Sequence, residues 1–440
     1  MNINQHGFRR LHSCLSQLIE HYDAIIEAVS SGENVDVVYL DFSKAFNVVD
    51  HNILLRKLKS VGIGGKIAIW IHNFITERKQ TVSVQRKLSR SEKVKSGVPQ
   101  GSCLGPILFL IMISDIDKDV SNSVVSSFAD DTKVSHVVNL LQDCLDLQTS
   151  LNDIYTWSDN NNMNFNELKF QALRYGRVHE EIRNFKYKTP KNEEILFENS
   201  VKDLGVTMST NLLFRDHIET LATRCRGLSA WILRTFITRD KVPMLKLFNS
   251  LVLPRMDYCS QMWAPHHNRD WSAIEGIQRR FTSKINEVKP LDYWSRLRSL
   301  RLYSIERRIE RYQIIYVWKI LEGHAPNLRI NKIQPKLSDR RGRYCILPSL
   351  KHSACSAKII TIRENSFGVH APRIFNILPK SIRGITGVKV DSFKLHLDRF
   401  LSTIPDQPSV TGYAGYRAAV SNSIIHQTQQ IGGGTYGAGL

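Results

Sequence analysis

The chain has 440 residues, with 60 Lys and Arg against 41 Asp and Glu and a formal net charge of +19. This length allows two or three domains with a sizeable core, and the charge predicts a polyanionic partner. Seven cysteines without a C-x-x-C pair argue against a disulfide framework and a zinc knuckle.

The first 90 residues predict helices around one buried strand. Apolar periodicity predicts, in chain order, a helix over 11–29, a strand over 35–42 that contains Asp41, a helix after Asp50 with Leu54, Leu55 and Leu58 on one face, a helix over 66–75, and a strand over 80–84.

A glycine-rich loop follows, with Gly97, Gly101 and Gly105 leading into an apolar helix that Pro106 can open. Because glycine lets the backbone approach a ligand closely, this loop could lie against a nucleotide or a base pair. The alternative is an ordinary turn before a core helix. The longest apolar run, residues 103–113, is too short to span a bilayer.

The pair Asp130 and Asp131 lies between two strand-like runs in residues 124–134, which predicts a hairpin with the carboxylates at its tip. Adjacent like charges repel unless a cation neutralises them, although a solvated turn is the alternative. If the strand at 35–42 lies beside this hairpin, Asp41 joins the pair. Three carboxylates at adjacent strand ends would hold two Mg²⁺ ions, the arrangement used for in-line phosphoryl transfer.

Three segments in this order resemble motifs A, B and C of reverse transcriptases, most closely those of jockey-like, LINE-type non-LTR retrotransposons: residues 41–46, 97–102 and 128–131. Residues 5–10 are similar to the segment that precedes motif A. Asn166 and Lys169 resemble motif D. The similarity continues through 201–206 and, more weakly, through 253–258 and 278–280 to 404–406, so it covers nearly the whole chain.

The resemblance implies a set of metal-binding and catalytic residues. Asp41 and Asp130 would bind both ions, Asp131 would complete the acidic cluster, and the backbone of Phe42 would supply a carbonyl. The ions would be Mg²⁺, with Mn²⁺ as the alternative. Lys169 would donate a proton to the leaving pyrophosphate, while a lone lysine can also be simply solvated.

The resemblance also implies a nucleotide and template pocket formed by Phe42, Phe46, Gln100, Gly101 and Ser102. Phe46 matches the aromatic gate that would clash with a 2′-hydroxyl and so favour deoxynucleotides. The alternative for Phe46 is a core aromatic that follows a strand.

The charge is unevenly distributed, which bears on the second half of the chain. Residues 1–210 hold 24 basic and 25 acidic side chains, whereas residues 211–440 hold 36 and 16. Arginine-rich segments at 224–226, 278–280 and 305–311 predict that this half grips a nucleic-acid backbone. The alternative is that these residues only solvate helix faces. Five tryptophans are predicted to be core anchors: Trp231, Trp263, Trp271, Trp294 and Trp318.

The predicted fold class is α+β, a right-hand polymerase palm with partial fingers, followed by a mainly helical thumb and a small C-terminal module. The predicted domains, in order, are partial fingers and palm over 1–210, a helical thumb or connection over 211–326, a basic linker over 327–343, a module over 344–404 and a disordered tail over 405–440.

The function implied is an RNA-directed DNA polymerase that uses an RNA template, a DNA primer and a dNTP. No signal peptide is recognised, so we expect an intracellular protein, in a cytoplasmic ribonucleoprotein or the nucleus, without a membrane. From the resemblance we expect this chain to lack the family's endonuclease and first fingers motifs, and Asn47 stands where the family's motif A usually has an acidic residue. An inactive truncated copy that acts at most as a basic nucleic-acid-binding protein, or a remnant without a partner, is the alternative.

Overall fold

The computed structural model describes residues 4–177, 179–329, 332–339, 342–348, 356–408 and 422–431. The chain divides into two compact units. The first comprises Met1–Gln17 and Gly32–Leu204, and the second comprises Leu18–Ser31 and Gly205–Leu440. Within the described residues, no helix has both the length and the apolar character needed to cross a membrane.

Helix α1 (Cys14–Ser30) contributes residues to both units. The sequence predicted that it would begin at residue 11. It begins later because Leu11 has a left-handed backbone, with φ of 69°. The hydroxyl of Ser13 then accepts the backbone N–H of Ser16 at 3.3 Å, which satisfies a free amide of the first turn.

The strands of the first unit are β1 (Val35–Leu40), β2 (Lys79–Gln80), β3 (Ser83–Val84), β4 (Lys87–Leu88), β5 (Glu92–Lys93), β6 (Val124–Phe128), β7 (Asp131–Val137), β8 (Gln171–Tyr175), β9 (Leu196–Phe197) and β10 (Ser200–Asp203). A five-stranded sheet has the order β6-β7-β1-β8-β9. Strand β1 is antiparallel to both β7 and β8, and its apolar residues are buried on both faces, as expected for a central strand. The strand predicted over 80–84 is instead split between the exposed β2 and β3.

The further helices of the first unit are α2 (Ala45–Val48), α3 (His51–Ser60), α4 (Gly65–Ile75), α5 (Gly105–Met112), α6 (Leu141–Asn160) and α7 (Glu180–Arg183), with a 3₁₀ turn at Glu167–Lys169. The carboxylate of Asp50 caps α3 by accepting two of its first amides. Leu54 and Leu58 of α3 are fully buried with Phe109 of α5 in the core of this unit. Helices and antiparallel strands therefore form the predicted α+β architecture.

The second unit is mainly helical. It contains β11 (Val206–Ser209), β12 (Pro335–Ser338) and β13 (Gly342–Cys345), and the helices α8 (Arg215–Thr235), α9 (Lys241–Leu247), α10 (Leu253–Asp257), α11 (Ser260–Trp263), α12 (Asn268–Thr282), α13 (Tyr293–Leu300), α14 (Ile305–Leu321), α15 (Ala357–Asn365), α16 (Phe367–Ile377), α17 (Lys380–Arg383), α18 (Val390–Leu401) and α19 (Ile424–Ile431). A π-helical turn spans Phe248–Val252, and a 3₁₀ turn spans Asn286–Val288. Trp318 of α14 is fully buried and stacks on Phe393 of α18 at 4.5 Å.

Several sequence predictions for the second half need correction. Trp231 is 46% exposed and is no core anchor, whereas Trp263 is fully buried. The segment predicted as a basic linker carries strand β12 and the start of its antiparallel partner β13. Helix α19 lies in the tail that was predicted to be disordered, and the rest of that prediction, over 409–421 and 432–440, lies outside the described residues.

The arginines of α14 are committed to internal contacts. Arg307 is fully buried and donates to the carbonyl of Pro405 at 2.9 Å. Arg308 forms a two-pronged ion pair with Asp257, with both N–O distances 2.6 Å. The prediction that residues 305–311 form a nucleic-acid-binding face is therefore wrong, because these guanidinium groups already hold the unit together.

Candidate active site

The register of the sheet brings the predicted carboxylates together. Leu40 at the end of β1 pairs with Thr132 of β7, so the antiparallel register places Asp41 opposite Asp131. Phe128 pairs with Asp131, which leaves Ala129 and Asp130 in the hairpin turn. The predicted adjacency of the two strands is confirmed, although 89 residues separate Asp41 from Asp130 along the chain.

Burial, and after it electrostatic repulsion, acts on the carboxylates at this strand end. Burial, and then the charge of Asp41, raises the pKa of Asp130 above its usual range, while Lys169 opposes this rise. Burial, followed by the charges of Asp130, Asp203 and Asp41, raises the pKa of Asp131 to about 6. Carboxylates at one strand end, with the pKa of Asp130 and of Asp131 raised, form an oxygen-rich group that suits hard divalent cations, because a cation would stabilise their ionised forms.

Lys169 reaches the same point from the 3₁₀ turn at Glu167–Lys169. Its Nζ lies 2.9 Å from Oδ2 of Asp41, and its side chain is 63% exposed against 31% for Asp41. The backbone N–H of Asn166 donates to the carbonyl of Asp41 at 2.7 Å, which ties this turn to the end of β1. The structure therefore places an ammonium group against one predicted metal ligand, in a pair that solvent screens.

A polar cleft of about 380 Å³ opens beside the carboxylates. Asp41, Asp131 and Lys169 line it together with Lys133 and Asp203, which form a buried ion pair with side-chain exposures of 3% and 6%. Neither residue of this pair was among the predicted site residues. Lys133 stands two residues after Asp131 in β7, on the same face of the strand, so this spacing could have placed Lys133 at the cleft, although it does not identify Asp203 as its partner.

The two aromatic residues predicted in the nucleotide pocket have different surroundings. The ring of Phe42 is buried and stacks on Phe165 at 4.3 Å, so its side chain belongs to the core and only its backbone could face a ligand. Phe46 is partly buried and stacks on Phe109 at 4.2 Å, while Phe8 meets its edge at 6.2 Å. Phe46 thus keeps some exposed surface, which the predicted gate requires.

The glycine-rich loop packs against the turn that follows Asp41. The N–H of Gly97 donates to the carbonyl of Val49 at 2.8 Å, and the N–H of Val98 donates to the carbonyl of Phe46 at 2.9 Å. A Cβ on Gly97 would lie 2.7 Å from the carbonyl oxygen of Asn47, so only glycine allows this approach. The predicted segments A and B are therefore in contact.

The three loop positions that were predicted to line the pocket have different surroundings. The exposed side chain of Gln100 donates to Oδ1 of Asn47 at 3.1 Å, so the asparagine that departs from the family pattern still offers an acceptor. Gly101 is exposed with φ of +79° and open space around it. The hydroxyl of Ser102 donates to the carbonyl of Pro99 at 2.7 Å and accepts the N–H of Gly105 at 3.0 Å, which closes the turn before α5.

One further group was not predicted. In the part of the chain that the structure describes, one set of three His, Cys, Asp or Glu side chains has its ligand atoms within 4.8 Å of one another: His136, Asp143 and Asp146. Oδ2 of Asp143 accepts the N–H groups of Asn139 and Leu140, both at 2.8 Å, at the start of α6. This carboxylate is thus already used to cap a helix.

Among the described residues, Asp41, Asp130 and Asp131 do not form a set with all ligand atoms within 4.8 Å of one another. The acidic strand end offers the oxygen atoms that a divalent metal prefers as ligands.

Residues 1–208 match the family described as "Reverse transcriptase (RNA-dependent DNA polymerase)". The chain is 26% identical over 357 residues to the probable RNA-directed DNA polymerase from transposon X-element of Drosophila melanogaster, which covers 76% of this chain and 38% of that relative. It is 26% identical over 293 residues to the polymerase from mobile element jockey of the same fly, covering 64% and 32%. The chain thus spans less than two fifths of these relatives' lengths.

Among solved structures, a telomerase from Candida albicans aligns with a TM-score of 0.38 and 12% identity, covering 64% of this chain and 52% of that one. The family match includes the three carboxylates, the glycine-rich loop and Lys169. Residues 1–208 therefore match the reverse transcriptase family, and over 64–76% of its length the chain is similar to the RNA-directed DNA polymerases of two Drosophila transposable elements.

Proposed function

We propose that this chain extends a DNA primer along an RNA template by adding dNTPs. The observation that carries the proposal is the strand register that sets Asp41 opposite Asp131 beside the Asp130 turn, within residues matched to reverse transcriptases. The primer 3′-hydroxyl would attack the α-phosphate of the dNTP and release pyrophosphate. Such a chain would work in a cytoplasmic ribonucleoprotein or in the nucleus.

Asp41, Asp130, Asp131 and the backbone carbonyl of Phe42 would hold two Mg²⁺ ions, with Mn²⁺ as the alternative. When bound, such ions activate the attacking oxygen and stabilise the leaving one. The raised pKa of Asp130 and of Asp131 supports the assignment, because both groups gain from a nearby positive charge.

The other predicted site residues have supporting roles in this proposal. Phe46 would contact the sugar and exclude a 2′-hydroxyl, and the exposed Gln100 and Gly101 would face the nucleotide and template. Ser102 would act through the loop that it closes. Lys169 would release Asp41 and protonate the pyrophosphate.

The second half would hold the nucleic-acid backbone. Residues 211–440 have 36 basic against 16 acidic side chains, and Arg224 and Arg226 of α8 are exposed. Cations on an exposed helix face bind phosphates and release counterions, so this binding should weaken as salt is added. The alternative function, nucleic-acid binding without catalysis, rests on the same charge.

A primer-extension assay with an RNA template, a DNA primer, dNTPs and Mg²⁺ tests the proposal. Asp130→Ala should lower the incorporation rate by about 10²–10³-fold, since metal ions supply several kcal/mol and each 1.36 kcal/mol is tenfold. Asp119→Ala, at an exposed position in the same unit, is the matched control and should retain activity.

Two outcomes would contradict the proposal. If Asp130→Ala extends the primer as fast as the unmodified chain does, the metal site has been assigned wrongly. If the unmodified chain binds RNA in a salt-dependent way but incorporates no nucleotide, the alternative function is correct.

A further inference from the structure

The N-terminal segment lies along the hairpin that carries Asp130. Gln5 forms a parallel bridge with Ser127 of β6. The N–H of Ser127 donates to the carbonyl of Asn4 at 3.2 Å, and the N–H of His6 donates to the carbonyl of Ser127 at 2.9 Å. Backbone hydrogen bonds thus fix this segment beside the strand that leads into the turn.

The side chain of Gln5 continues this pairing into the turn itself. It is 3% exposed, and its Oε1 accepts the N–H of Gly7 at 2.7 Å and the N–H of Ala129 at 2.9 Å. Its Nε2 donates to the carbonyl of Ala129 at 3.3 Å. One buried amide therefore binds both polar backbone groups of the residue directly before Asp130.

Ala129 needs such support because its backbone is left-handed, with φ of 56°. This conformation is unfavourable for a residue with a Cβ and persists only where surrounding contacts impose it. A Cβ on Gly7 would lie 2.3 Å from the backbone nitrogen of Ala129, so the segment approaches the turn as closely as glycine permits. Arg9 in turn donates to the carbonyl of Gln5 at 2.9 Å.

We infer that Gln5 is a positioning residue that sets the conformation of the Ala129–Asp130 turn and thereby the direction of the Asp130 carboxylate. The effect on catalysis rests on the proposed function, whereas the hydrogen bonds between Gln5 and Ala129 are independent of it. Without the amide of Gln5, both polar groups of Ala129 lose a buried partner and the turn is free to leave its left-handed conformation. Asp130 would then bind a divalent ion less well.

The test compares Gln5→Met, which keeps the length of the side chain without its hydrogen bonds, with Gln5→Glu, which keeps the acceptor for Ala129 and Gly7. Two measurements do not require turnover: amide hydrogen exchange over residues 125–134, and Mn²⁺ binding by isothermal titration calorimetry. The Mg²⁺ concentration for half-maximal primer extension is the third measurement.

We expect Gln5→Met to speed exchange at the turn and to weaken Mn²⁺ binding, each by about tenfold, the equivalent of one to two buried hydrogen bonds. Exchange in α6 should be unchanged, and Gln5→Glu should restore protection of the Ala129 amide. The half-maximal Mg²⁺ concentration should rise in the same proportion as the Mn²⁺ dissociation constant.

Gly7→Ala perturbs the same contact from the backbone and provides a second variant if Gln5→Met does not fold. Gly64→Ala is its control, because a Cβ there meets nothing within 4 Å. Unchanged exchange and unchanged Mn²⁺ binding in folded Gln5→Met would overturn the inference. An unmodified chain that incorporates no nucleotide, while Gln5→Met still opens the turn and weakens Mn²⁺ binding, would refute the proposed polymerase and leave the positioning role supported.

Discussion

Replacing Asp36 of β1 with valine should destabilise the first unit by about 3–5 kcal/mol. The Asp36 carboxylate is fully buried at the centre of the sheet. Arg174 of β8 binds it with two nitrogen atoms, at 2.8 and 2.6 Å, and the hydroxyl of Tyr187 donates to it at 2.6 Å. The substitution leaves the guanidinium, whose side chain is only 8% exposed, without its counterion.

The size of this effect comes from the buried positive charge of Arg174 that is left without a counterion. A buried pair contributes little compared with well-packed apolar side chains, whereas removing one partner leaves the full desolvation penalty of the other. Arg174→Met alone should therefore also cost about 3–5 kcal/mol. The double variant, Asp36→Val with Arg174→Met, should cost less than either single variant, although the Tyr187 hydroxyl then loses an acceptor.

Urea unfolding, with amide exchange of β1 and β8 to identify the first unit, measures these free energies. Lys191→Ala is the matched control, because Lys191 is 73% exposed in its pair with Glu167 and should contribute less than about 1 kcal/mol. The reasoning would be refuted if the unfolding free energy lost in the double variant equalled the sum of the two single losses, or if Asp36→Val lost less than about 1 kcal/mol.

Three other perturbations test separate parts of the structure. Burial raises the pKa of Glu275 to about 7 from an ordinary 4.5, so between these pH values the folded form holds a proton that the unfolded form releases. The stability of the second unit should therefore fall as pH rises from about 4.5 to 7. Thermal melts at several pH values should show that Glu275→Gln removes this part of the decline. In salt titrations of RNA binding, the logarithm of the association constant falls linearly with the logarithm of the salt concentration. Changing both Arg224 and Arg226 to alanine should make this slope shallower by about 1.4, whereas Arg308→Ala should leave it unchanged. Gly97→Ala should lower both the melting temperature and primer extension, because a Cβ at φ of +84° would meet the backbone of Asn47, and unchanged values would show that the loop can move away.

The helices with clear apolar periodicity were predictable, and the loops between short exposed strands were not. Residues 66–75 were predicted as a helix and lie in α4. The exposed pieces β2 and β3 replace the strand predicted over 80–84, because alternation alone does not say whether a strand has a partner along its whole length. Trp231 was wrongly predicted to be buried for a similar reason, since apolar neighbours in the chain do not ensure burial in the fold.

For the candidate site, the sequence determined which residue types stand where: a carboxylate after an apolar strand, two carboxylates in a hairpin turn, and glycines before an apolar helix. These patterns depend on local chemistry, and they predicted that Asp41 and the Asp130–Asp131 pair converge if the two strands are neighbours, a condition that the sheet order meets. Their roles in metal binding and catalysis stay predictions that the experiments above address.

Tertiary structure alone decided which polar groups meet. Lys133 pairs with Asp203, Lys169 with Asp41, and the amide of Gln5 with the backbone of Ala129. The partners are 70, 128 and 124 residues apart, so no local pattern identifies them. Sheet register, burial and hydrogen bonding over these distances determine whether a charged side chain faces a ligand, as the carboxylates at the strand ends are proposed to do, or is neutralised within the fold, as the arginines of α14 are.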